Sequence, residues 1–174
     1  MNETINNLIK RRSVRKYKNE MIPQDIIEEI VKAGTYAPTG MNSQSPIILV
    51  IKNKETRDKL SKLNAKIMGN ANIDPFYGAP VILVVLVDKN APTPIYDGSL
   101  VMGNLMNAAY SLGIGSCWIH RAKEEFETEE GLELLKSLGI EGIFEGIGHC
   151  ILGYSDEPLR EPTPRKDNYV YYIN

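Results

Sequence analysis

The run Ala79 to Val87, APVILVVLV, is the longest apolar stretch of the chain, at nine residues. A membrane-spanning helix needs about 20, so the run reads as a strand buried on both faces. A strand of that kind must sit in the middle of a sheet and be covered above and below. The rest of the chain supplies the cover. Apolar residues make up 43% of the 174 positions, enough for one core without staples and too many for disorder. One domain over residues 1–174 is expected, with no repeat, low-complexity tract or internal boundary.

Local patterns place the other elements. Ile5, Leu8 and Ile9 follow helical spacing over about residues 3–12, and Lys10, Arg11 and Arg12 complement the negative end of the dipole. Pro23 begins a second helix, with Ile26, Ile27, Ile30 and Val31 as its apolar stripe and Gly34 near its stop. Pro46 opens a strand, IILVI. Leu60, Leu63 and Ile67 mark a third helix, and residues 69–80 form a loop. Residues 97–112 read as a helix that is apolar or small nearly all round, which predicts burial on most sides and therefore a subunit interface. Strands are expected at 116–120 and 146–154, with a short helix around Leu132, Leu135 and Leu138 between them. The terminal YVYYI reads as a strand with no partner nearby in sequence.

Charge excludes some functions and concentrates attention on one place. The formal net charge is −2, which argues against bulk nucleic-acid binding. Yet Lys10 to Tyr17, KRRSVRKY, holds five cations in eight residues. A solvated helix end and a bound phosphate are the two readings of that cluster. Cys117 and Cys150 make no disulfide framework, the polar start lacks the apolar core of a signal peptide, and no run is long enough for a membrane, so a cytoplasmic, reducing compartment is expected.

Several sites fail on inspection. Gly146-Ile-Gly148-His-Cys-Ile151 has isoleucine where a dinucleotide loop needs its third glycine, and no helix follows it. Cys117, His120, His149 and Cys150 are zinc-type ligands, but strand alternation sends Cys117 and His120 to opposite faces, and likewise His149 and Cys150. No metal site is expected. What remains is APTGMNSQSP, Ala37 to Pro46, an irregular loop with amides at Asn42 and Gln44 and hydroxyls at Thr39 and Ser43. With the arginine cluster and a late PRK at 164–166, it suits a ligand with a phosphate at one end and a planar heterocycle at the other.

In this order and at similar distances, RRSVRKY, APTGMNSQSP, GIGSCWI, ILGY and PRK make the chain resemble the FMN-dependent nitroreductase family from about residue 8 onward. The resemblance implies an α+β fold, a mainly antiparallel central sheet flanked by helices. It implies an intertwined homodimer with the C-terminal strand exchanged, and one FMN per subunit held by residues of both chains. Matched position by position, Arg11, Arg12, Ser13 and Arg15 would hold the FMN phosphate, ribityl chain and pyrimidine edge. Asn42, with Gln44 beside it, matches the family asparagine that hydrogen-bonds the isoalloxazine ring. Pro38 and Thr39 match the segment that reaches the partner's flavin. Ser116, Cys117 and Trp118 match the backbone over the central ring, and Arg165 and Lys166 complete the phosphate pocket.

The activity so implied is ping-pong transfer. NADH or NADPH passes hydride to flavin N5, and an electron-poor acceptor, such as a nitroaromatic or quinone, then takes the same slot. No protein nucleophile or metal is needed, so no catalytic side chain is expected. Phe76 and Tyr77 are candidates to roof the slot. Where larger members carry a Glu-Gly pair and an insertion, this short chain reads Ser-Cys-Trp, which leaves the substrate range open. A flavin-storage protein, or a relative of the same fold with other chemistry, stands as the alternative.

Overall fold

The computed structural model describes residues 1–174. Four strands form one antiparallel sheet in the order β1-β2-β4-β3, with β1 at Pro46–Ile51, β2 at Val81–Asp88, β3 at Gly115–Ile119 and β4 at Phe144–Gly153. The long apolar run is the central β2. Val81 to Val87 have no exposed surface, because each face of this strand meets a separate core. Val81, Leu83 and Val85 pack with Val101, Met102 and Leu105 on one side. Ile82, Val84 and Leu86 pack with Phe76, Phe126 and Ile151 on the other. The α+β expectation therefore holds.

Six α-helices surround the sheet: α1 Glu3–Lys10, α2 Gln24–Thr35, α3 Lys54–Ile67, α4 Pro94–Ser111, α5 Ala122–Glu125 and α6 Glu129–Ser137. Three have side-chain caps of the usual kind. Asn2 Oδ1 accepts from the Ile5 amide at 2.9 Å, Asn53 Oδ1 from the Thr56 amide at 2.9 Å and Thr128 Oγ1 from the Gly131 amide at 3.2 Å. Helix α4 begins earlier than its apolar pattern suggests, because Pro94 stands in its first turn, where its fixed φ and missing N–H cost nothing.

The expected terminal strand needs correction, whereas α4 is only partly covered within one chain, as a helix apolar nearly all round predicts. Gly98, Val101, Met102, Leu105 and Ala109 are buried, while Ile95, Tyr96 and Leu100 stay exposed at 54%, 74% and 47%. The terminal YVYYI forms no strand within the chain. Asp167–Tyr169 make a single 3-10 turn and Tyr171, Tyr172 and Ile173 are exposed, since no edge of the chain's own sheet meets them. Among shifts of boundary, β3 ends at Ile119 because Arg121 turns the chain in the left-handed region, φ 77°.

Strand β4 shifts register between Gly146 and Gly148, opposite Leu86 and Val85. Both glycines are there for close approach. A Cβ on Gly146 would lie 2.2 Å from the Ala122 carbonyl carbon, and one on Gly148 would lie 2.4 Å from Trp118 Nε1.

Candidate functional site

The arginine cluster lies beyond its helix. Helix α1 stops at Lys10, and the chain then runs extended beside the outer edge of β3. The Val14 amide donates to the Ser116 carbonyl at 3.0 Å, Ser13 and Ser116 pair as a parallel bridge, and Tyr17 pairs with Ser155. Val14 is buried, so the period-two alternation turns Ser13 and Arg15 outward. Tyr17 is fixed from below: its hydroxyl donates to the Val14 carbonyl at 2.7 Å, and burial pushes its phenol well above the usual range.

Buried donors without partners mark this strip. Arg12 Nη1 donates to the carbonyls of Ile9, at 3.0 Å, and of Arg11. Arg12 Nε and Nη2, Arg11 Nη1 and Ser116 Oγ are buried and unpaired. Each such donor costs about 1–3 kcal/mol, more when charged, so the set is poised for an acceptor. Arg12, Ser13 and Arg15 face Arg160 and Thr163 across a cleft of about 290 Å³. Glu157 and Glu161 border the same cleft, and Glu157 accepts from the Arg15 amide at 3.2 Å, which leaves three arginines against two carboxylates. Arg160 escaped the sequence reading because it belongs to no cluster of its own.

Arg15 also borders a second cleft, of about 270 Å³, against Tyr77 of the 69–80 loop and Cys117, Trp118, His120 and Arg121. One strip thus joins a cation-lined cleft to a slot with aromatic walls. The loop side of the slot is held by Asp74. Its carboxylate accepts from Ser61 Oγ at 2.7 Å, from the Phe76 and Gly78 amides at 2.9 and 2.7 Å, and from Arg57. Burial opposes ionisation of Asp74, but these bonds together outweigh it and hold its carboxyl below the usual range. Tyr77 is 43% exposed and borders the slot, whereas Phe76 is wholly buried with its ring 5.0 Å from that of His149. Phe76 is a core residue and roofs nothing.

The loop of Pro38, Thr39, Asn42 and Gln44 lies elsewhere. Met41, Asn42 and Gln44 all have positive φ, at 54°, 54° and 49°. Thr39 Oγ1 accepts from the Gln44 amide at 3.1 Å, and Gln44 Nε2 donates to Asn42 Oδ1 at 3.4 Å. What pins the loop is Asp97, 2% exposed in the first turn of α4. It accepts from the Gly40 amide at 3.0 Å, from Thr93 Oγ1 at 2.8 Å and from Ser43 Oγ at 3.4 Å. Asp97 is at the start of α4, while Tyr110, which lines a small pocket with Arg12 and Ser116, is at its end. At 1.5 Å per residue the two ends are about 20 Å apart. One chain therefore does not bring the amide loop to its own arginine strip. Arg165 and Lys166 do not line the cleft of Arg12 and Arg15, although Thr163 does; both are exposed, and Lys166 Nζ sits 5.7 Å from the Tyr169 ring.

No cysteine here has the surroundings of a nucleophile. Cys117 and Cys150 are free and buried, and burial pushes the Cys150 thiol well up. His149 has no exposed surface; its Nε2 lies 2.8 Å from Glu125 Oε2 and its Nδ1 3.3 Å from the Ile119 carbonyl. His120, one residue past the end of β3, is exposed, with its ring 6.0 Å from that of Trp118.

An antiparallel sheet thus carries along one edge an arginine-bearing cleft and a slot with aromatic walls. Residues 8–154 match the model of the Nitroreductase family, and the chain belongs to this family of oxidoreductases. It is similar to an FMN-bound nitroreductase of Bacteroides fragilis NCTC 9343, with a TM-score of 0.90, 26% identity and 100% of both chains covered. It is 28% identical over 198 residues to the NAD(P)H FMN reductase of Bacillus subtilis (strain 168), covering 100% of this chain and 76% of that protein. It is 26% identical over 183 residues to the iodotyrosine deiodinase of Thermotoga neapolitana, covering 94% of each.

Proposed function

We propose that the protein is an FMN-dependent NAD(P)H oxidoreductase that reduces electron-poor acceptors such as nitroaromatics or quinones, and that it works as a homodimer. The observation that carries this reading is the set of buried, unpaired donors of Arg12, which lines a cleft that continues, through Arg15, into an aromatic slot, with those of Arg11 next to it in the chain and of Ser116 in the small pocket that Arg12 shares. A phosphate monoester carries close to two negative charges and needs that kind of donor set. The residues present fit FMN. When bound, FMN supplies the hydride acceptor and donor that no side chain here provides.

The chain's own residues bind and orient. Arg11, Arg12 and Ser13, with Arg160 across the cleft, would hold the phosphate, since guanidinium forks match its oxygens bidentately. Arg15 would stand at the flavin's N1–C2=O edge, where a cation stabilises the reduced anion. The backbone of Ser116, Cys117 and Trp118 floors the slot and Tyr77 covers its rim. Asn42 and Gln44, with Pro38 and Thr39, would reach the flavin of the partner, which the separation of about 20 Å along α4 favours. The bare Ile95, Tyr96 and Leu100 face of α4 suits a subunit interface. Arg165 and Lys166 would join the phosphate pocket once the tail is docked. Two free cysteines in the core suit a reducing, cytoplasmic setting.

Two measurements test the proposal. Apoprotein is titrated with FMN and with riboflavin, and NAD(P)H oxidation is then followed with and without a quinone. FMN binding far tighter than riboflavin, together with quinone-stimulated oxidation, supports the reading. Flavin binding without turnover would make the protein a flavin store.

A further inference from the structure

We propose that Arg121 anchors the carboxylate of an anionic aromatic acceptor in the slot beside Arg15. The inference rests on the reading of that slot as the flavin and acceptor site. Among the residues that line it are two arginines, Arg15 and Arg121, and the imidazole of His120, with no Asp or Glu. The nearest loop carboxylate, Asp74, is fully engaged by Arg57, Ser61 and two backbone amides. The charge lining the slot is therefore positive, which concentrates anionic ligands there.

Arg15 is assigned to the flavin edge. Arg121 is left over, and it is held in place. Its left-handed backbone, φ 77°, is a conformation a non-glycine residue adopts only when its surroundings enforce it. Its Nε donates to Asn64 Oδ1 at 2.8 Å. Asn64 has no exposed surface, and its Nδ2 donates to the His120 carbonyl at 2.9 Å and to Glu125 Oε1. Glu125 Oε2 in turn lies 2.8 Å from His149 Nε2, with both residues wholly buried. Arg121 is thus the outer end of a chain of four polar side chains whose inner members are fixed in the core. That chain sets the plane of the guanidinium.

Arg121 also has unused capacity. It makes no ion pair with Glu125, because Asn64 stands between them. It makes none with Glu124 or Glu145, which share with it a neighbouring cleft of about 510 Å³; Glu145 lies 4.0 Å from Lys89 instead. Its Nη1 and Nη2 have no partner within the chain, and they form the fork that a carboxylate accepts from in parallel. The aromatic body of the ligand would lie between Tyr77 and Trp118, which supply flat apolar walls.

The test uses the flavin-loaded wild-type protein and the variants Arg121→Gln and Arg121→Lys. Calorimetry gives the affinities of benzoate and of benzamide, which share shape and differ in charge. Steady-state kinetics gives kcat and KM for 4-nitrobenzoate and 4-nitrobenzamide. A fork on a carboxylate gives a benzoate preference of about tenfold to a hundredfold. Arg121→Gln should erase that preference, Arg121→Lys should keep only part of it, and the change should fall on KM rather than kcat. Each ratio is taken within one variant, so a general loss of flavin or stability affects both ligands alike. Equal wild-type affinities for benzoate and benzamide overturn the proposal without any variant, and so does a preference that survives in Arg121→Gln. If the protein takes up no flavin or reduces no quinone, it is the functional reading that fails, and the benzoate-to-benzamide ratio, then measured on the flavin-free protein, still reports on Arg121.

Discussion

The Val14 amide donates to the Ser116 carbonyl at 3.0 Å, and this bond seats Val14 against the edge of β3. With Val14 turned into the core, Ser13 and Arg15 face outward along the β3 edge. Arg12 is fixed by its own bonds to the Ile9 and Arg11 carbonyls, with Nε and Nη2 left over.

Arg12→Ala should therefore weaken FMN binding by about tenfold to a hundredfold, the worth of one charge-assisted bond. Lys16→Ala should change it little. Lys16 pairs with Asp156 at 3.0 Å on an exposed surface, where such pairs contribute little. Fluorescence titration of the two apoproteins makes the comparison. Equal, small effects would return the cluster to a solvated surface.

Asp97→Ala should release the 38–44 loop, by removing the acceptor for the Gly40 amide and for Thr93. If each site combines one chain's arginine strip with the other's loop, co-expressed Arg12→Ala and Asp97→Ala chains complement one another. In mixed dimers one site carries both lesions and the other none, so about a quarter of all sites regain tight FMN binding under random pairing in a two-fold dimer. A site made within one chain gives no recovery at all.

The C-terminal tail is expected to dock on the partner. Strand β1 pairs only with β2, and the outer edge of β3 is taken up by Ser13 and Val14, so β1 carries the sheet's free edge. Residues 155–168 span roughly 40 Å when extended, far enough to cross to another subunit. Deleting residues 168–174 should lower both dimer stability and flavin retention, as read by sedimentation velocity and absorbance. A stable dimer with full flavin content counts against the exchange.

Replacing His149 with Leu leaves the Glu125 carboxylate in the core without its imidazole partner. A loss of about 3–5 kcal/mol is expected in urea denaturation, with much of it regained when Glu125→Met is added. Should the single change cost nothing, Glu125 and His149 are not coupled as their 2.8 Å contact indicates.

Much of this fold is legible in the sequence where burial writes a pattern. Val81 to Val87 announce a doubly covered strand because both of its faces are core. The cation density at 10–16 is visible, but its extended course along β3 is not, since that depends on pairing with a strand a hundred residues away. YVYYI reads as a strand, yet no strand forms within one chain, because strand formation needs a neighbouring edge. AKEE at 122–125 carries no apolar period, so α5 goes unseen. Asp97, Arg121 and Arg160 gain their roles only through tertiary neighbours, and nothing local distinguishes them from solvated charges.

The most direct test of the account is to load the protein with FMN and follow the flavin's visible band without oxygen as NADH or NADPH, and then a quinone, is added. The account predicts that at least one nicotinamide donor bleaches the band by itself, and that the quinone then restores it. A band that persists through both donors would contradict it.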